Sequence, residues 1–406
     1  MNNNNKRWPV LISGAVLMLV AGLIYAWSIF RAPLTGLFPE WTPTQLSVAF
    51  TVSMVFFCLG GFTAGKLAAR MSGRFIILIA AAMLLIGFCG VALLLDADHP
   101  AKSLWALYLL YGILCGGGVG LVYNAALNTL TKWFPENPGM VSGVLLMCFG
   151  FGGLALGSIV NALIGSRGLS PSFLILGIGV GIIFAIASFL FKWPPAGKPA
   201  GETKEAAVRA EATTKEMLRS PIFWALCLWN IALCIGGLLV INSAATIASA
   251  FGAAPVAGLL VSVFNGVGRV SIGALHDRKG RHFSMTAGTS VLLLAGIILS
   301  AGAFLNIPIL IFIGLPLVGI SFGRAPPSIS TVVNNYFGPK HYAVNLSTAT
   351  FSVIPGAIIG PIVSSRLQEA SGGAYGSTFI MIIVIAILAL VLNFALRYYS
   401  KKSGFE

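Results

Sequence analysis

Residues 8–30 read WPVLISGAVLMLVAGLIYAWSIF, a run without a single charge. A helix of that length crosses the hydrocarbon core of a bilayer, which needs about 20 apolar residues. The run is longer than the apolar core of a signal peptide and has no obvious small-residue cleavage site, so it is expected to stay as a membrane span. Working outward from it, windows of about nineteen residues find similar runs along the whole sequence. They lie near 8–30, 44–69, 75–95, 104–130, 139–165, 171–192, 221–250, 254–275, 283–304, 307–335, 342–366 and 375–398. With 57% of residues hydrophobic and 9% charged, the chain reads as an all-α polytopic membrane protein, since a soluble fold has nowhere to hide that surface.

One long polar stretch, Trp193 to Ser220, carries Pro194, Pro195, Pro199 and alternating Lys and Glu. It divides the chain into residues 1–192 and 221–406, six spans each, with 193–220 as a cytoplasmic linker. Orientation follows from where Lys and Arg fall. With both termini in the cytoplasm, Lys6, Arg7, Lys66, Arg70, Arg74, Lys132, the linker's basic group, Arg278, Lys279, Arg281, Lys340, Arg397, Lys401 and Lys402 are inside, and only Arg31, Lys102, Arg167 and Arg366 are outside. That asymmetry predicts an even number of spans and a multi-pass protein of the cell (inner) membrane. It also accounts for the net charge of +14 through anionic lipid, without nucleic acid.

Several functional classes drop out. Cys58, Cys89, Cys115, Cys148, Cys227 and Cys234 all lie in apolar spans and read as reduced core residues. His99, His276, His282 and His341 lack ligand spacing, so neither metal nor cofactor is expected. A membrane-embedded enzyme needs a nucleophile, metal cluster or acid–base pair within the spans, and none is visible. A receptor is expected to add a soluble signalling domain, and the longest polar segment is the linker. A transporter remains. No docking element for a partner subunit is evident, so a monomer is expected.

Two arginines, Arg269 and Arg324, sit inside apolar runs, whereas the other charges fall near the ends of runs or between them. A charge at that depth is costly, so each is a candidate anion ligand in a transport path. Asn265 shares the helical face of Arg269 one turn earlier, and Gly266 and Gly268 leave room around it. A planar guanidinium holds a carboxylate through two parallel hydrogen bonds. The competing reading for Arg269 is snorkelling toward the cytoplasmic end, about two turns away. Arg324 lies in Gly323-Arg324-Ala325-Pro326-Pro327, where the prolines break the helix. It is either a second anion ligand or a donor to freed carbonyls and neighbouring Asn and Ser side chains.

Span 4 has Gly112, Gly116 and Gly120 at four-residue spacing, so one face can meet a neighbour closely. That face continues to Asn124 and Asn128, which either bond across the helix interface or touch substrate. Tyr123, about 100° round the helix, is the better pore candidate. Gly150, Gly152, Gly153 and Gly157 in span 5, and Pro355-Gly356 with Gly360-Pro361 in span 11, imply close packing with local bending. Gly65-Lys66-Leu67-Ala68-Ala69-Arg70-Met71-Ser72-Gly73-Arg74 after span 2 and Gly273-Ala274-Leu275-His276-Asp277-Arg278-Lys279-Gly280-Arg281 after span 8 form an internal repeat.

That repeat resembles the basic loop found in each half of major facilitator transporters, although Ala69 stands where the acid is usual. The resemblance is closer still in Tyr25-Ala26-Trp27-Ser28, Tyr123 with Lys132-Trp133-Phe134-Pro135, Leu218-Arg219-Ser220-Pro221, Gly236-Gly237-Leu238-Leu239 with Asn242, and Asn335-Tyr336-Phe337-Gly338. These stretches are similar to the oxalate/formate antiporter family, beside the monocarboxylate transporters of the same superfamily. The resemblance implies the major facilitator fold, two pseudo-symmetric six-helix bundles, and a carrier of small carboxylates with its site between them. Arg269 falls where both groups place their span 8 arginine. Tyr25, Tyr123 and Phe149 are supported by motif position, Phe149 standing where the oxalate carrier has a tyrosine. The lysine of that carrier's span 11 is absent from Thr348-Ala349-Thr350, and Asn265 replaces the aspartate of animal monocarboxylate transporters. The expectation is a secondary carrier of lactate- or pyruvate-like monocarboxylates. Proton coupling is implied by the resemblance, with oxalate/formate-type exchange as the alternative. Arg269, Asn265, Tyr123, Asn124, Tyr25 and Phe149 are the expected site, with Arg324 in reserve.

Overall fold

In a bilayer each backbone N–H and C=O has to be satisfied within its own segment, and every apolar run folds as helix in the computed structural model. The structure describes residues 3–68, 70–134, 138–191, 211–279, 281–338 and 340–402. Ala69, most of the linker and the side chains of residues 272–281, which carry the second basic loop, lie outside what is described. The spanning helices are α1 (Arg7–Leu37), α2 (Pro43–Leu67), α3 (Gly73–Leu94), α4 (Pro100–Trp133), α5 (Met140–Arg167), α6 (Leu169–Leu190), α7 (Pro221–Ala250), α8 (Leu260–Lys279), α9 (His282–Phe304), α10 (Pro308–Phe337), α11 (Val344–Ala370) and α12 (Gly376–Tyr399). Among the described residues, eleven are long and apolar enough to cross a membrane; around α8 the apolar stretch is the shorter Pro255–Ser271. Prolines open many of these helices, where their missing N–H costs nothing, and Thr42 adds a capping box with Gln45 at the start of α2.

The first span corrects one expectation. α1 runs on past Phe30 to Leu37, because Arg31 and Pro33 lower the local hydropathy without ending the helix. Arg31, expected on the outer side beyond the end of the run, lies within this helix and is 3% exposed.

Four helices are interrupted. α1 tightens to a 3-10 stretch over Gly22–Ala26, which carries Tyr25. α4 contains a π-helical stretch, Leu107–Cys115. α10 breaks at Arg324, between Pro308–Gly323 and Ala325–Phe337, where Pro326 and Pro327 deny the ladder two donors. α11 breaks between Thr350 and Val353, just where Pro355 crowds the carbonyl of Phe351 four residues back.

The packing repeats itself in the two halves. α1 packs on α5, α2 on α4 and α3 on α6; likewise α7 on α11, α8 on α10 and α9 on α12. Across the halves α2 meets α11, α5 meets α8, and α1 meets α7. The exchange of α2–α11 for α8–α5 is what a two-fold relation between the halves requires. Ile178, Ile182 and Ile186 repeat every four residues on the outside of α6, and Val384, Leu388 and Val391, spaced by four and then three, share one exposed face of α12. These exposed apolar stripes face lipid, and the polar contacts are turned inward.

The span ends fall on two faces, one holding the chain termini and one remote from them, called here the far face. There the halves are stitched together. Asn242 Nδ2 donates to Ser47 Oγ at 2.9 Å, Ser47 and Ser365 share a hydrogen bond, and the Thr44 N–H donates to Glu369 Oε1 at 2.8 Å. Deeper, Pro361 leaves the Ala357 carbonyl without its helical donor, and Thr51 Oγ1 of α2 supplies one at 2.9 Å. On the opposite face, Glu216 caps the short helix Thr214–Arg219, and bonds from Thr213 hold its carboxyl below the usual range. Lys340, raised above its ordinary value by its 2.6 Å contact with Glu211, ties the described end of the linker to the second half.

Candidate functional site

The site is assembled by glycines that let helices approach to backbone distance. A Cβ at Gly268 would lie 2.3 Å from the Ile320 carbonyl oxygen, and one at Gly323 2.0 Å from that of Asn265, so α8 is seated directly on α10. On its other side α8 meets α5: a Cβ at Gly150 would be 2.8 Å from the Gly266 nitrogen, and one at Gly153 2.7 Å from Ser262 Oγ. α5 in turn meets α1 through Gly22 and Gly152, where Cβ atoms would be 2.1 Å from the Phe149 oxygen and 1.9 Å from the Leu19 oxygen. These approaches bring α1, α5 and α8 around one side chain, that of Arg269.

Arg269 lies midway along α8 and is 4% exposed. Its Nε donates to Asn265 Oδ1 at 3.1 Å, and one terminal nitrogen donates to the Tyr25 hydroxyl at 3.4 Å. Its guanidinium carbon stands 5.5 Å over the Phe149 ring, a cation–π contact across the halves. Tyr25 and Tyr123 both set their rings edge-on to Phe149 at 5.1 Å, with Phe57 closing the cluster beside Tyr123. The Tyr123 hydroxyl faces the same guanidinium. Snorkelling does not describe this side chain, since its head group is held among α1, α4 and α5 at mid-helix depth.

Two buried donors at this place have no partner: Arg269 Nη1 and Asn265 Nδ2. Both are N–H groups one turn apart on α8, so what would complete them is an acceptor, and the guanidinium makes an anion the favoured one. Among the described residues no acidic side chain pairs with Arg269. A buried charge left this way is costly unless a ligand completes it.

The remaining expected residues stand apart. Asn124 accepts from Asn128 Nδ2 along its own helix and lies close to Gly65 of α2, toward the termini face. The glycine face of α4 does meet α2, with Gly116 against Ser53 and Gly120 against Phe57. Arg324 lies against Gly288 of α9, its Cδ 3.0 Å from where a Cβ there would stand, on the side of α10 that meets α9. Its Nε and Nη1 are buried without partners, but nothing brings them to Arg269. Within the first half, a small cavity is lined by Val20, Leu23, Ser53, Leu84, Tyr111 and Cys115, with no cation on its walls.

Three features escaped the sequence reading. Phe57, which completes the aromatic wall, carries no signal beyond its apolar character. Ser262, whose buried hydroxyl has no partner, faces Gly153. Arg31 was legible in part, as a charge one residue beyond an apolar run that then continues as helix.

A polytopic bundle of two related six-helix halves, with an uncompensated cation between them, is the architecture of a secondary transporter. The family model described as Major Facilitator Superfamily matches residues 11–354, and the chain belongs to that superfamily. It is 28% identical over 349 residues to the MFS-type transporter YhjX of Escherichia coli (strain K12), covering 85% of this chain and 84% of that one. It is 24% identical over 396 residues to the oxalate:formate antiporter of Oxalobacter formigenes, covering 95% and 90%. The fold superimposes on the E. coli xylose transporter XylE in a partially occluded inward-open conformation, with a TM-score of 0.73 at 14% identity over 96% of this chain and 99% of that one.

Proposed function

We propose that this transporter carries small monocarboxylates of the lactate and pyruvate type by alternating access, with Arg269 as the carboxylate ligand. The observation that carries the reading is the pair of unpartnered buried donors, Arg269 Nη1 and Asn265 Nδ2, at the junction of the halves. A carboxylate there accepts from both, while the Tyr25 hydroxyl and the Phe149 ring hold the guanidinium in place. Tyr25, Tyr123 and Phe149 offer an aromatic wall to a short apolar acid tail. Asn124 and Arg324 are assigned to the path and its support, not to the ligand shell. The relevant halves are residues 1–192 and 221–406, joined by 193–220, with both termini cytoplasmic, so the far face is outside. The carrier works as a monomer in the cell membrane.

Proton coupling needs a proton site apart from the carboxylate held by Arg269, and no described acidic side chain stands beside that arginine to supply one. Empty, the carrier has to reorient with a bare charge in its core; loaded with a monoanion, the site is close to neutral. That same argument, together with the likeness to an oxalate:formate antiporter, supports a second reading, obligatory exchange of carboxylates. The test is uptake of radiolabelled L-lactate into proteoliposomes. Accumulation driven by an inward proton gradient alone supports proton-linked transport, and uptake that needs internal lactate or oxalate supports exchange. No carboxylate flux under either condition refutes the proposal.

A further inference from the structure

Arg31 belongs to the far face, where the halves are sealed. It lies on α1 six residues beyond Tyr25, about 9 Å further along the span. Its Nη1 donates to Ser243 Oγ of α7 at 2.6 Å, across the halves, and its Nη2 donates to the Pro43 carbonyl of its own half at 3.4 Å. Both partners are neutral. The acidic groups facing it are the Glu369 carboxylate and the Tyr375 phenol, both from the second half. Glu369 is spoken for by the Thr44 N–H, and Tyr375 donates to Thr246.

Rocking the halves apart at this face would remove Ser243, Glu369 and Tyr375 together, because all three move with the second half. The Pro43 carbonyl would stay. Arg31 would then face the outer vestibule with a cation, vacated donors and no acid nearby. A carboxylate arriving from outside restores what opening took away, and Arg269 lies about two turns deeper on the same path.

We propose that Arg31 is the carboxylate-capture site of the outward-open state, and that the Ser243 hydroxyl, its closed-state partner from the second half, occupies the place an incoming small carboxylate takes. The proposal rests on the carboxylate-carrier reading and its orientation. Closing the gate then competes with the external substrate for one guanidinium. Capture and latching exclude each other, and the substrate has to move inward to Arg269 before the far face can seal.

The test separates the two faces. Uptake of radiolabelled L-lactate, with oxalate as a second probe, is measured in right-side-out and inside-out membrane vesicles. Arg31→Gln is expected to raise KM from the outer face by roughly tenfold or more, the loss of a charge-assisted hydrogen bond. From the inner face KM should stay within about twofold, and Arg31→Lys should fall between. Ser243→Ala, which keeps Arg31 and removes its closed-state partner from the second half, is expected to lower the external KM, and it decides the matter where Arg31→Gln fails to fold. Arg31→Gln changing transport equally from both faces, or Ser243→Ala altering maximal rate with external KM unchanged, makes Arg31 a latch only and overturns capture. Absence of carboxylate flux in the unaltered protein overturns the carrier reading and capture with it.

Discussion

Replacing Arg269 separates a ligand from a structural cation, because the two roles move stability in opposite directions. Arg269→Lys keeps a positive charge on α8 but loses the planar fork and the Nε bond to Asn265. One charge-assisted hydrogen bond to the carboxylate is forfeited, about 1.5–3 kcal/mol, or about 10- to 150-fold in apparent affinity. Arg269→Gln also loses the Coulomb attraction, about 4 kcal/mol for charges 4 Å apart at an effective dielectric constant of 20, and uptake should vanish. Stability should not follow. The wild-type guanidinium is buried with Nη1 unpartnered and no described acid beside it, so its removal relieves a desolvation cost. The assay pairs L-lactate uptake in proteoliposomes with the melting temperature of the purified protein in detergent. The reasoning fails if Arg269→Lys transports with KM within about twofold of the unaltered protein. It fails equally if Arg269→Gln melts well below it, since that is the signature of a cation holding the halves together.

Three further outcomes follow from the same geometry. Tyr25→Phe removes a hydroxyl that accepts from Arg269 at 3.4 Å and keeps the ring against Phe149, so a rise in KM of about fivefold is expected, worth about 1 kcal/mol; loss of all transport would place that hydroxyl on the substrate or its proton. Arg324→Gln should leave lactate uptake within about twofold, because the side chain lies against Gly288 on α9; selective loss of oxalate uptake would bring Arg324 into the site. Gly150→Leu puts a side chain where even a Cβ would stand 2.8 Å from the Gly266 nitrogen, and overpacking of that kind costs about 1–3 kcal/mol. Uptake should drop below about a tenth while expression holds, and near-normal uptake would show that α5 and α8 need not approach so closely during transport.

Much of this protein is written in local patterns that the bilayer itself reads. An apolar run of span length becomes a helix wherever it occurs, and a lone arginine inside one is conspicuous because lipid offers it no solvation. Arg269, with Asn265 one turn away, was legible for that reason, and Tyr25, Tyr123 and Phe149 through motif resemblance. The prolines at 326 and 327 announced the break in α10, and Pro355 a bend where α11 breaks, since a missing donor acts at its own position. Rotation and partnership of helices are not local quantities. Nothing near Arg324 in the chain says that it turns toward Gly288 and not toward Arg269, and nothing near Asn124 says that it bonds to Asn128. Arg31 is the sharpest case. By sequence it is one charge at the edge of an apolar run; only the approach of α7, bringing Ser243 more than two hundred positions away to 2.6 Å, makes it a buried cation at the seam of two halves.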